Sequence, residues 1–129
     1  MRAAAMQLYR LGIAVFFVGV VAQFFLAGLG VFRTQHDAGR FTHNFAEHRA
    51  LGNVLLVVGI VVLVFAFIAR LGRDRITIIL WLPVLVLIQS ILANAGPSWV
   101  RALHPVVAIG IFAVSGLLAH RAWARPEAA

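Results

Sequence analysis

Four apolar segments dominate the chain, and each reaches the length of about 20 residues that a helix needs to cross a bilayer. They cover roughly residues 8–32, 48–69, 76–95 and 98–123. Hydrophobic residues make up 63% of the chain and charged residues 12%, whereas soluble domains are about 45–50% apolar and about 25% charged. A soluble core of this size cannot hide so much apolar surface, so we expect lipid to cover it.

The connections between the segments are short, and short connections make consecutive helices antiparallel. They are a polar stretch at 33–47, a basic turn at 70–75 and a tight turn at 94–97. The first apolar stretch is longer than the roughly 7–15 residues of a signal-peptide core, so we expect it to be retained. We therefore predict one domain over residues 1–129, an all-α integral membrane protein built as an antiparallel four-helix bundle.

Arginine is the only strongly basic residue type, and its distribution predicts an orientation. Seven arginines fall on one side of the predicted membrane: Arg2, Arg10, Arg70, Arg73, Arg75, Arg121 and Arg125. Four fall on the other: Arg33, Arg40, Arg49 and Arg101. The positive-inside rule places both termini in the cytoplasm. Because an Arg-only, Ala/Val/Leu-rich composition is typical of a high-GC bacterial gene, we expect a multi-pass protein of the bacterial plasma membrane.

Composition also excludes several classes of function. The net charge of +7 comes from arginines beside apolar segments, where they anchor topology, so we expect no nucleic-acid binding. Cysteine is absent, which excludes disulfides, zinc–thiolate sites, iron–sulfur clusters and covalently attached haem. The sequence contains no serine–histidine–carboxylate pattern and no glycine-rich phosphate loop.

Two histidines stand where the second and fourth segments begin. With the predicted topology, His48 and His104 lie at the same depth on the outer side of the membrane. Ionisable residues within spans mark functional sites by default, and imidazole is a common axial ligand of haem iron. We predict that the pair ligates one haem b. The alternative is that each histidine is an interfacial residue that caps its helix or touches lipid headgroups.

Small residues share helical faces with these histidines, as expected for packing seams or for room beside a flat macrocycle. A helix with an intramembrane glutamine, followed by a helix that opens with histidine, also occurs twice, with Gln23 before His48 and Gln89 before His104. We call the helical faces that carry the small residues stripes. The stripe of the first span is Gly12, Gly19, Gln23 and Gly30, that of the second span is His48, Gly52 and Gly59, and that of the fourth span is His104, Ala108, Ser115 and Ala119, with Ile111 between.

Other residues near the pair complete the candidate site, which also includes Gly52 and Ala108. Gln23 and Gln89 either hydrogen-bond across helices or face haem propionates or a quinone head group. Arg49 and Arg101 either neutralise the propionates or anchor the interface.

Two local features leave alternatives open. The outer loop carries His36, Asp37, His43 and Glu47, which together with His48 would suit a divalent metal, although a solvated polar loop explains them equally well. Because Pro105 disfavours helix in the residue before it, the last helix either starts at Pro105, with His104 as its cap, or starts near Ser98 and kinks at Pro105.

Three stretches of this chain resemble an uncharacterised four-span bacterial membrane family, known as domain of unknown function 6220. They are the Gln-Phe-Phe-Leu-Ala-Gly-Leu-Gly of residues 23–30, the His-Arg-Ala-Leu-Gly of residues 48–52 and the Leu-His-Pro of residues 103–105. The resemblance implies four spans and supplies no activity.

The layout also resembles one half of heme A synthase. Each half of that enzyme is a four-helix unit with haem-ligating histidines on its second and fourth helices. His48-Arg49 resembles the end of its Glu-x-x-His-Arg motif, but Phe45 stands where the motif has glutamate, and Glu47 is adjacent to the histidine. The resemblance implies the histidine ligand pair, and we do not expect the enzyme's catalysis from a single half.

We therefore predict a b-type cytochrome that transfers single electrons, with a quinone or a membrane redox partner, rather than a stand-alone enzyme. Two alternatives remain: a cofactor-free accessory subunit of a larger complex, and a small transporter. A homodimer, or a place within a complex, is a further expectation.

Overall fold

The computed structural model describes residues 1–94 and 96–124 and folds them into helices. The predicted span end at Ala95 and Arg125, which the sequence predicts to be cytoplasmic, lie outside the described residues. A single 3₁₀ turn, Ala38–Arg40, precedes the second helix. The helices are α1 (Arg2–His36), α2 (Phe41–Asn44), α3 (Ala46–Ile68), α4 (Arg73–Asn94), α5 (Ser98–Arg101) and α6 (Leu103–Trp123).

Among residues 1–94 and 96–124, four stretches are long and apolar enough to cross a membrane, which confirms the predicted number of spans. They are Arg2–His36, Ala38–Ile68, Arg73–Asn94 and Ser98–Trp123. Between 17% and 22% of the residues in their most apolar windows are buried inside the bundle. The remaining apolar side chains need a covering of lipid, since water would not solvate them. The chain is therefore a multi-pass membrane protein.

The four long helices pack as a square, in the cyclic order α1, α3, α4, α6. Helices α3 and α6 lie on one diagonal, and α1 and α4 lie on the other. Because neighbours run antiparallel, α3 and α6 both begin at the end of the bundle that carries His48 and His104. We call this the histidine end and the opposite end the termini end.

The glycine stripe of α1 packs directly on α3, as predicted for a membrane seam. A Cβ atom added to Gly19 would come within 2.6 Å of Leu55 Cδ2, and one added to Gly12 within 2.8 Å of Val62 Cγ2. On α3, Gly59 is similarly close to Phe16 and Pro83. The approaches to α1 hold it against α3 along the part of α3 that runs from Leu55 to Val62.

The stretch at 33–47, predicted to be a polar loop, is largely helical. Helix α1 continues to His36, and α2 follows after the 3₁₀ turn. The buried Asn44 donates from Nδ2 to the carbonyl oxygen of Asp37 at 3.0 Å and to Thr34 Oγ1 at 3.3 Å. These bonds satisfy the buried Asn44 amide and tie α2 to the end of α1 where the chain turns back.

The last span starts at Ser98, as the second predicted alternative has it, but its break does not fall at Pro105 itself. The break falls at Ala102, three residues before Pro105. Proline lacks an N–H and its ring clashes with the carbonyl four residues earlier, here that of Arg101, so the helix is interrupted one turn ahead of it. The break places His104 in the first turn of α6.

The membrane orientation is a prediction that labelling can check. A reporter fused to the C-terminus should be cytoplasmic, because most arginines lie at the termini end. A small tag inserted beside Ala38 should react with a membrane-impermeant reagent added to intact cells. The opposite labelling pattern would place the histidine end on the cytoplasmic side.

Candidate functional site

His48 and His104 face each other across the diagonal of the bundle. Their ring centroids are 6.1 Å apart, and the two ring planes are inclined at 60°. Both residues are half-buried in the first turns of α3 and α6. The structure thus brings together two imidazoles that are 56 residues apart in the sequence. They lie at the same level of the bundle, as the sequence predicts.

Each histidine is anchored to the backbone of a neighbouring helix. His48 Nδ1 lies 3.2 Å from the carbonyl oxygen of Gln23, and His104 Nδ1 lies 3.0 Å from that of Gln89. Because a carbonyl oxygen can only accept, each Nδ1 carries a proton and donates it. The Nε2 of each neutral ring therefore keeps its lone pair, which is available to a metal or to a hydrogen-bond donor.

The repeated Gln-then-His pattern in the sequence corresponds to a repeated geometry. In each half of the bundle, a histidine on the second long helix bonds to the glutamine carbonyl on the first. The connections differ in length, so the two bonds span 25 and 15 residues of chain. The two halves therefore present equivalent imidazoles to the bundle axis.

The two small residues of the candidate site, Gly52 and Ala108, each lie one helical turn from a histidine. Gly52 lies one turn into α3 from His48, and a Cβ atom added there would be 3.1 Å from Gln23 Nε2. Ala108 is half-buried one turn into α6 from His104. The Gln23 side chain thus covers Gly52, on the membrane-centre side of His48.

The side-chain carboxamides of Gln23 and Gln89 are incompletely paired. In the described part of the chain, Oε1 of each is buried without a hydrogen-bond partner. A buried acceptor without a donor costs about 1–3 kcal/mol, so such atoms usually point to an absent water or ligand. The cross-helix bonds expected of these glutamines are made by their backbone carbonyls and not by these oxygens.

The two arginines of the candidate site lie at the outer rim, and both are exposed. Arg49 donates from a guanidinium nitrogen to the carbonyl oxygen of Thr42. Arg101 ends α5, three residues before His104. Each histidine therefore has an arginine close to it in the chain.

The loop residues considered for a divalent metal do not assemble into a site. In residues 1–94 and 96–124, no three His, Asp or Glu side chains come together as a metal-binding group. Glu47 instead pairs with Arg33, both its oxygens lying 3.1 Å from Nη1. His36 and His43 are exposed.

Phe45 is a part of the site that the sequence analysis did not identify. Its ring meets His48 edge to face at a centroid distance of 6.2 Å. It also lies against Gly30, where an added Cβ would be 2.6 Å from Phe45 Cδ1. The sequence did indicate that a side chain packs on Gly30, because Gly30 belongs to the α1 stripe. The pattern did not indicate that this side chain is Phe45.

A family model, described as a family of unknown function (DUF6220), matches residues 23–96, which is more than half of the chain. The chain belongs to this family. No curated protein and no solved structure gives a significant match.

The DUF6220 match begins at Gln23 and ends just after α4. It therefore includes His48, Gly52 and Gln89, whereas His104 and Ala108 lie beyond it. Family membership agrees with the resemblance found in the sequence and assigns no activity to the histidine pair.

Proposed function

We propose that this protein is a b-type cytochrome that holds one haem between His48 and His104 and transfers single electrons within the membrane. The observation that carries this proposal is the spacing of the imidazoles. Metal–imidazole bonds are about 2 Å long and a ring centre lies about 1 Å behind its nitrogen, so two axial imidazoles on one metal have centroids about 6 Å apart. The observed separation is 6.1 Å.

The hydrogen bonds at Nδ1 support the same function. Metal-ligating histidines almost always donate their second N–H to a carbonyl or carboxylate, which sets the tautomer and the ring orientation. Both histidines make such a bond, to Gln23 and Gln89 respectively. Interfacial histidines that only touch headgroups would have no need for matched anchors on two different helices.

The surroundings suit an amphipathic macrocycle with its acidic groups at the surface. The spans around the pair are apolar, whereas Arg49 and Arg101 are exposed at the rim of the same end. Guanidinium groups pair well with carboxylates, so these two arginines are the proposed partners of the propionates. Gln23 and Gln89, one turn further in, offer polar contacts beside the ring or bind water there.

Haem held in this way supplies a one-electron iron couple. Because the protein would fill both axial positions, the iron has no open site for oxygen, and electron transfer is favoured over oxygenation. The chain contains no cysteine, so the haem would be held by the two histidines and by packing alone. The resemblance of the layout to half of heme A synthase agrees with this arrangement.

The absorbance spectrum of the purified protein tests the proposal directly. We expect a Soret band, sharp α and β bands on reduction, and about one haem per chain by the pyridine haemochrome assay, as for a six-coordinate low-spin b-type centre. Expression with added haem precursor and reconstitution with haemin guard against loss of cofactor during purification. A protein that stays colourless under both treatments would contradict the proposal and leave the accessory subunit and the small transporter as the alternatives.

A further inference from the structure

A pocket at the histidine end lies directly behind Phe45. It has a volume of about 250 Å³, and we call it the Phe45 pocket. Its lining is Val31, Thr34, Gln35, Phe41 and Phe45. Phe45 is the wall that separates it from the histidine pair, because the same ring meets His48 edge to face at 6.2 Å.

The lining of the pocket restricts what it can bind. Phe41 and Phe45 form an aromatic corner, with centroids 4.9 Å apart and planes inclined at 41°, which suits a flat ring. Two polar residues, Thr34 and Gln35, belong to the lining, although the surface that the pocket presents is almost entirely apolar. Pockets for drug-sized ligands are about 300–1,000 Å³, so this smaller space suits a single substituted ring.

The position of the pocket further restricts the kind of ligand that it can bind. Val31 and Phe41 are half or more exposed and would face lipid near the membrane surface, so a hydrophobic tail could leave the pocket into the bilayer. A ligand with one flat ring, polar oxygens and an apolar tail, lying one phenyl ring away from a redox centre, has the chemistry of a membrane quinone.

We propose that the Phe45 pocket binds the head group of a membrane quinone, which exchanges electrons with the haem; this inference rests on the haem proposed above. The exposed Gln35 carries the amide that would donate to a quinone oxygen, whereas the Thr34 hydroxyl already donates to the carbonyl of Gly30 at 2.8 Å and accepts from Asn44. Oxidation of one quinol releases two electrons and two protons. The single haem would take these electrons one at a time, being reoxidised after each by the membrane redox partner, and the two protons would leave to the water at the histidine end.

The chain offers a matched control on the same helix. A second depression of about 240 Å³, the Phe25 groove, is lined by Phe24, Phe25, Gly28, Leu29 and Phe32. It is as large and as apolar as the Phe45 pocket but has no residue in common with it and includes neither Phe45 nor a polar side chain. A Cβ added to Gly28 meets nothing within 4 Å, so a side chain introduced there starts from open space at the groove.

The experiment compares Val31→Trp, which fills the pocket, with Gly28→Trp, which fills the groove. Each protein is placed in quinone-free lipid nanodiscs, and binding is measured by photolabelling with an azido-quinone followed by peptide mapping. Reduction of the haem by a short-chain quinol is the second readout. For Val31→Trp we expect an unchanged haem spectrum. Labelling of the 41–45 segment should fall about tenfold or more, which is equivalent to about 1.4 kcal/mol of binding free energy. Reduction of the haem by the quinol should slow by a similar factor. Gly28→Trp should behave as wild type.

The outcomes separate the two proposals. Labelling that persists at 41–45 in Val31→Trp, or that falls equally in both variants, would overturn the quinone site while leaving the haem spectrum to support the cytochrome. If the protein holds no haem, the proposed function fails, and photolabelling alone then tests whether the Phe45 pocket binds a quinone. Labelling of residues 41–45 that disappears in Val31→Trp would support quinone binding in the pocket, whereas labelling elsewhere in the chain would contradict it.

Discussion

Replacing either member of the histidine pair should remove the low-spin haem signal. In His48→Ala and His104→Ala the iron would lose one axial ligand, leaving a five-coordinate high-spin haem or none. The expected result is loss of the sharp reduced α band and of the low-spin signals in electron paramagnetic resonance. Both variants should still insert, because lipid and the glycine seam between α1 and α3 support the helices without the imidazoles.

The other three histidines are the controls for this prediction. His36, His43 and His120 are exposed, and their alanine variants should keep the wild-type spectrum. His120 is about 24 Å from His104 along α6 at about 1.5 Å per residue, so it cannot replace that ligand. Loss of the signal in His43→Ala together with its retention in His48→Ala would show that the ligand is wrongly assigned, although a cytochrome would remain.

Filling the space at Gly52 should also reduce haem binding strongly. Since an added Cβ at Gly52 already lies 3.1 Å from Gln23 Nε2, the larger side chain in Gly52→Leu should push the Gln23 amide aside. The leucine would then replace that amide beside His48 and occupy space beside the proposed ring. Disturbing the outer shell of a metal site typically costs about 10–100-fold in affinity, and we expect a loss of that order in haem titrations.

Gly28→Leu is the matched control, because Gly28 is also a helical glycine of the histidine end but has open space around it. It should retain wild-type haem content and wild-type yield in the membrane. A Gly52→Leu protein with normal haem affinity would mean that Gly52 is only a packing residue and that the haem, if present, lies elsewhere.

Much of the fold follows from local properties of the sequence. The length and hydropathy of the four spans require helices that satisfy their own backbone hydrogen bonds in lipid, and short connections require antiparallel neighbours. The seven-residue spacing of Gly12 and Gly19 places both on one helical face, and the structure confirms that this face packs on α3. These features depend on periodicity and length, which a sequence displays directly.

The ends of the helices were less predictable. The polar residues of 33–47 predicted a loop, yet Asn44 bridges the turn and allows a helical path. The break at Ala102 depends on the carbonyl that Pro105 displaces, which lies one turn away from the proline. In both places a side chain acts at a distance of several residues, so local propensity does not reveal the outcome.

The sequence by itself determined that two histidines begin the second and fourth spans, and antiparallel topology then placed them at one depth. Only the tertiary structure decided that α3 and α6 occupy a diagonal, that the rings stand 6.1 Å apart, and that Phe45 fills the space over Gly30. The anchoring carbonyls of Gln23 and Gln89 were also invisible in the sequence, because every residue has a carbonyl and only the packing of helices brings one to a histidine. Depth along a span is a matter of counting residues, whereas facing and contact depend on how four helices rotate against one another.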